Sequence, residues 1–153
     1  MDAGAAPASK KDRAIAIALS MDVDNSGYTA ASDLDLTADK WCVQWIAFVM
    51  KASGCAYYPD FTSQANVSGA ISFFGSNFDL RSNKTPVKGD WVMYSKSGEQ
   101  FAHVGLIVNA ENVPYIETVE GNLGGTVKKV DQYNYNNGVG NFTVYGFATP
   151  TWV

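Results

Sequence analysis

The stretch that most constrains this chain is Thr37 to Gly54, TADKWCVQWIAFVMKASG. Trp41, Trp45, Phe48 and Val49 recur at the three-to-four spacing of one helical face, and Val43, Ile46, Ala47 and Met50 widen that face. A helix apolar on most sides has to be buried against something else. Thr37 reads as its N-cap and Ser53-Gly54 as its stop. Cys42 falls within the first turn and a half. The positive end of a helix favours a thiolate over a thiol, so a cysteine there is placed for nucleophilic chemistry. A small buried core thiol is the plainer reading of the same residue.

The chain has 153 residues, enough for one domain with a real core. Residues 1–12 read as a flexible tail and 13–153 as a single domain. The formal net charge of -4 argues against a general nucleic-acid binder, which needs a basic face. No apolar run approaches the roughly 18 residues needed to span a membrane, so no membrane insertion is expected. No apolar stretch follows the positive charges of MDAGAAPASKKDR, so no secretory signal is expected either. Such a chain is cytosolic, already processed, excised from something longer, or exported without a signal. Its two cysteines, Cys42 and Cys55, lie at opposite ends of the predicted helix. Helical rise separates them by about 20 Å, too far for a disulfide, so two free thiols are expected.

Helices come first and strands later. DRAIAIALSM, 12–21, is a short helix, and 62–74 reads as another, followed by a loop over 75–88. Strands are expected over 91–94, 101–109, 115–120, 126–130 and 142–148, with a flexible Tyr/Asn/Gly-rich loop over 131–141. The class is α+β, a helical half packed on an antiparallel sheet.

Ahead of the organising helix lies DVDNSGYTAASD, 22–33. Asp22, Asp24 and Ser26 occupy loop positions one, three and five of an EF-hand calcium loop. Gly27 is at six, the Tyr28 carbonyl at seven and Asp33 at twelve. Calcium seeks such converging hard oxygens. Asp in place of Glu at twelve and Thr29 at eight depart from the pattern, and Asp35 is a spare ligand. The same composition also makes an ordinary turn.

His103 is the chain's one histidine, which excludes a multi-histidine zinc site and leaves one general base near neutral pH. Strand periodicity sets it on the face of Gly105 and Ile107. A hydrogen-bonded structural histidine is the plainer reading. A cysteine hydrolase also needs a third group to orient the imidazole. A hairpin pairing Val108 with Pro114 sets His103 opposite Val119, with Thr118, Glu120 and Asn122 in reach.

Taken in order, Trp41-Cys42 with its apolar helix, PVKGDWVMY (86–94), HVGLIV (103–108) and Glu120-Gly121-Asn122 resemble the CHAP family, the cysteine, histidine-dependent amidohydrolases/peptidases of the papain-like group. Val144 to Phe147 looks like the family's closing strand. The resemblance implies a papain-like CHAP fold and cleavage of an amide bond in bacterial peptidoglycan. The enzyme would be an N-acetylmuramoyl-L-alanine amidase or a stem-peptide or cross-bridge endopeptidase, a phage lysin or a secreted or delivered enzyme acting on the cell wall; the sequence is silent on oligomeric state, and a monomer is the default expectation. It implies Cys42 as nucleophile, His103 as base and then acid, and Glu120 as orienting group, with Asn122 assisting or replacing it. The backbone N–H of Cys42 would bind the oxyanion. Some resembling phage enzymes carry calcium in an acidic loop before the nucleophile; the loop at 22–33 lies further upstream, so the idea transfers and the ligand positions do not. Gln44 would line the site or lie on the helix surface. Trp41, Tyr57, Tyr58, Trp91 and Tyr133 could wall a groove, although packing is the default for the tryptophans. Two other functions stay open: a non-catalytic, calcium-stabilised wall-binding module on this scaffold, and a papain-like amidase toxin or transglutaminase acting on another amide.

Overall fold

The computed structural model describes residues 8–22, 41–59, 67, 69–72, 79–81 and 85–153. Helix α1 spans Lys10–Ser20 and α2 spans Cys42–Ala52. Among the described residues six strands follow: β1 Asp79–Arg81, β2 Trp91–Lys96, β3 Glu99–Asn112, β4 Tyr115–Leu123, β5 Thr126–Asn134 and β6 Thr143–Thr149. They form one sheet in the order β1-β6-β2-β3-β4-β5, every pair antiparallel. This is the α+β class expected of helices first and strands later.

Helix α1 begins at Lys10, two residues ahead of the helix expected over 12–21. Its start is set by Ser9, whose hydroxyl accepts from the Asp12 amide at 3.1 Å. Ala14 and Ala18 are the buried stripe that docks it. The Arg13 guanidinium closes the pair of helices by donating to the Ser53 carbonyl at 3.1 Å.

Helix α2 starts at Cys42 with Trp41 as N-cap, later than a cap at Thr37 would set it, and Trp41 supplies no side-chain cap bond. Thr37 itself lies outside the described residues. The helix ends as Ser53-Gly54 suggested. Gly54 sits at φ 90°, where a side chain would be strained. The Cys55 amide donates to Met50 O and the Gly54 amide to Lys51 O, the two bonds of a Schellman ending. Eight of its eleven residues are buried, among them Gln44, which is therefore not on the helix surface. The expected second helix survives as helical residues at 67 and 69–72. The expected loop over 75–88 contains strand β1.

Alternation along the strands divides the core. Trp91, Met93, Val104, Leu106, Val119 and Val127 pack with Trp45, Ile46, Val49 and Met50 of α2. Val92, Tyr94, Ile107, Ile116 and Phe147 form a second cluster, joined by Tyr133, Tyr135, Val139 and Phe142. Helix and sheet meet closely at Gly121, where an added Cβ would lie 2.5 Å from Trp45 Cβ. A glycine there lets α2 settle on β4.

Strands β2 to β6 each run past an expected limit. β3 continues to Asn112 and β4 begins at Tyr115, so the reversal is two residues long. Leu106 therefore lies opposite Val119, three residues along β3 from the His103–Val119 pairing expected. The register also shifts between Ile107 and Asn109 and again before Asn112, which strand periodicity cannot reveal. β5 runs on to Asn134 and a 3-10 turn covers Tyr135–Asn137, where a flexible loop was expected. Long cross-strand pairing to β4 satisfies backbone groups that a polar, Asn-rich sequence does not advertise.

Candidate active site

The site is built on a helix start and four adjacent strands. Cys42 is the first residue of α2 and is 4% exposed. Its thiol interacts with the side chain of His103, which stands on β3. The imidazole Nε2 lies 2.8 Å from Glu120 Oε1, which leaves Nδ1 as the ring nitrogen available to sulfur. Cysteine, histidine and glutamate thus converge from α2, β3 and β4.

The route from Glu120 to His103 depends on a missing side chain. With Leu106 opposite Val119, the next antiparallel pair is Gly105 and Glu120. An added Cβ at Gly105 would lie 2.7 Å from both Cγ and Oε2 of Glu120. The glutamate lies across the glycine and reaches the histidine two residues along the same face.

Glu120 is 1% exposed, so a carboxylate there needs donors. It has three. Oε1 takes the histidine; Oε2 accepts from Tyr94 Oη at 2.7 Å and from Thr118 Oγ1 at 2.6 Å. Tyr94 Oη in turn bonds Tyr133 Oη. Tyr94 is directly opposite His103 across β2 and β3, and the two rings stack at 5.7 Å. Phe142 completes a triangle of rings, 5.2 Å from His103 and 5.5 Å from Tyr94.

These neighbours set the proton affinities. Burial alone would depress the His103 pKa. The hydrogen bond to Cys42, the hydrogen bond and charge of Glu120, and the charge of Cys42 outweigh it and raise the value to about 9. The imidazole is therefore protonated at neutral pH. Tyr94 is pushed well above the usual phenol value, by burial first and then by the charge of Glu120. Burial and Glu120 push Tyr133 upward as well, against the effect of its hydrogen bond with Tyr94. Both phenols stay protonated and can donate.

Asn122 is adjacent but is not brought to His103. It is half-buried and its backbone has φ 61°, a left-handed conformation that asparagine tolerates better than most side chains. Among the described residues its side chain has no hydrogen-bond partner. It sits where the β4–β5 register shifts between Glu120 and Leu123.

Cys55 is a buried free thiol that donates weakly to the carbonyls of Tyr57 and Thr151, at 3.3 and 3.5 Å, and Cys42 is free as well. Trp41 and Trp91 are core residues and Tyr57 is exposed. Tyr58 packs against the core. Tyr133, read as a loop aromatic, belongs to β5 and to the hydroxyl network. Sequence reasoning did not single out Tyr94. The signal was its place in the GDWVMY strand ahead of the histidine strand, which makes cross-strand pairing with His103 foreseeable.

Of the calcium-loop residues, Asp22 alone is described; Asp24, Ser26, Tyr28 and Asp33 lie outside the described residues. Asp22 is buried, and its Oδ1 accepts the Lys129 amide at 3.0 Å. No group of three or more His, Cys, Asp or Glu poised to hold a metal occurs among the described residues. No described helix is long and apolar enough to cross a membrane.

Comparison with known proteins agrees with this layout. No curated protein matches the sequence. The solved structure of Ly7917 superimposes with a TM-score of 0.61 at 15% identity, over 92% of this chain and 62% of that one. At that identity it speaks for the fold alone, and this chain spans less than two thirds of its length. The CHAP-domain profile matches residues 35–122, more than half of the chain and all of the elements that carry Cys42, His103 and Glu120. The chain belongs to the CHAP family.

Proposed function

We propose that this protein hydrolyses an amide bond of bacterial peptidoglycan through a thioester on Cys42. The family is one of amidases and peptidases of the cell wall, and the bond is either the N-acetylmuramoyl-L-alanine link or one in the stem peptide or cross-bridge. One observation carries the reading: a thiol at the first position of a helix interacts with an imidazole whose Nε2 is held 2.8 Å from a buried glutamate.

The chemistry runs as follows. The thiol proton resides on His103 Nδ1, and Cys42 Sγ attacks the amide carbonyl carbon. The oxyanion that forms is stabilised by the Cys42 backbone N–H, one of the unpaired donors of the helix start. The tetrahedral adduct collapses as His103 protonates the leaving amine, and a thioester remains. His103 then takes a proton from water, the hydroxide attacks the thioester, and the acid leaves Cys42. Glu120 fixes the ring and balances the imidazolium charge. Asn122, beside Glu120, would assist by contacting the substrate.

A calcium ion held by Asp22, Asp24, Ser26, the Tyr28 carbonyl and Asp33 is part of this proposal, supported by their spacing. The bond from the Lys129 amide to Asp22 would tie the start of that loop to β5.

The test is clearance of a peptidoglycan suspension. Wild type is expected to clear it and to release free amine, and Cys42→Ala is expected to do neither. Clearance that survives in Cys42→Ala would overturn the reading.

A further inference from the structure

We propose that Tyr94, Thr118 and Tyr133 are positioning residues that aim the Glu120 carboxylate at His103. The inference rests on the peptidoglycan-hydrolase reading for its consequence in catalysis, and on geometry for everything else.

A glutamate can turn about three side-chain bonds, and a buried carboxylate with one partner would sample several orientations. Here one oxygen is committed and the other is occupied. Oε2 accepts from Tyr94 Oη and Thr118 Oγ1 at 2.7 and 2.6 Å, and Oε1 is left for His103 Nε2 at 2.8 Å. Tyr94 donates its single proton to Glu120, so its oxygen accepts from Tyr133 Oη. The network spans four strands: Tyr133 on β5, Thr118 and Glu120 on β4, His103 on β3 and Tyr94 on β2. Each of these side chains is on one face of the sheet, so the sheet's own register fixes their spacing. Tyr94 acts twice, because its ring also stacks beside the imidazole it helps to orient.

Cys42 faces His103 from α2, Glu120 from β4 and Tyr94 from β2. Tyr133 of β5 acts through Tyr94. Lys96, which shares the wall of a cavity of about 210 Å³ with Glu120, is paired with Glu99 at 3.5 Å. The hydroxyls are thus the groups that fix Oε2.

His103 is the sole histidine, so its ring C–H proton can be followed by NMR through a pH titration without assignment. This readout needs no activity. Tyr94→Phe keeps the ring and removes the donor. The expected result is a titration midpoint lowered by about one pH unit, as the His103–Glu120 bond is populated less. Clearance should fall about 10-fold in kcat with KM within two-fold, and the alkaline limb of the pH profile should move with the NMR midpoint. Thr118→Val should act in the same direction, Thr118→Ser should restore the wild-type midpoint, and Tyr133→Phe should give a smaller shift. An unchanged midpoint in both Tyr94→Phe and Thr118→Val overturns the proposal. So does an upward shift, which would mean that the hydroxyls compete with His103 for the carboxylate. If Tyr94→Phe does not fold, the two Thr118 variants carry the same test. A wild type that leaves peptidoglycan intact while these shifts occur would refute the assigned reaction and uphold the positioning role.

Discussion

Gly105→Ala places one methyl group at the most crowded point of the site. The added Cβ would sit 2.7 Å from Glu120 Cγ and Oε2 and 2.8 Å from Cδ. Carbon–carbon contacts are comfortable near 3.5–4.0 Å, so the glutamate must retreat by about 1 Å. A free glutamate would do so cheaply. This one is 1% exposed and held by three hydrogen bonds of 2.6–2.8 Å, so it moves only by losing some of them. A retreat of ~1 Å stretches the His103 bond past the range in which it counts as one. Overpacking of this kind costs about 1–3 kcal/mol. For a domain of this size each kcal/mol moves the Tm by roughly 2–4 °C. A misplacement of about 1 Å is worth around 100-fold in rate. Backbone strain is no part of the effect, because Gly105 does not have positive φ. The expected outcome is therefore a folded protein with a Tm lowered by a few degrees, roughly 100-fold slower clearance of peptidoglycan, and a lower His103 midpoint. Clearance within two-fold of wild type, with an unmoved midpoint, would refute the claim that Gly105 exists to let Glu120 pass.

Folding stability should carry the signature of His103. Its pKa is raised from 6.5 to about 9 by the fold, so its contribution is complete below pH 6.5 and is lost as pH rises through 9. The shift is worth about 3 kcal/mol at most, and the unfolding free-energy gap between wild type and His103→Asn should be widest near pH 6 and shrink by pH 9.5; a gap that grows with pH would contradict the assignment. Cys55 touches carbonyls and core rather than the site, so Cys55→Ala should keep full clearance and lose about 1 kcal/mol in denaturant unfolding. Activity lost in Cys55→Ala and kept in Cys42→Ala would assign the wrong thiol. If calcium binds the loop at 22–33, chelation should lower the Tm by mass action, and identical Tm values in calcium and chelator would remove the ion from the proposal.

The α+β class, the buried helix and the identity of the three converging side chains were legible from the chain alone. Apolar spacing marks α2 and period-two alternation marks β2, β3 and β4, because burial acts on side chains one by one and leaves its pattern in the sequence. The scarcity of histidine made His103 a candidate, and its order among the other motifs gave the family. What stayed hidden is what depends on register. The slip of three residues between β3 and β4 came from a two-residue reversal and two irregularities, which are backbone hydrogen-bonding choices with little side-chain signature. That slip is what sets Gly105, not a side chain, opposite Glu120. The length of β5 was hidden for the same reason, and with it the place of Tyr133.

Glu120 and Asn122 are two residues apart and look interchangeable as the third member of the site. The fold separates them. Glu120 lies on the sheet face shared with His103, over a glycine and under two hydroxyls, whereas Asn122 is turned by a left-handed backbone at a register shift. The chain by itself determined which residues could do the chemistry, since residue type fixes what a group can donate, accept or attack. Tertiary structure decided which of them meet, since contact is set by strand register and by the space a neighbour leaves, and neither is a property of any one residue.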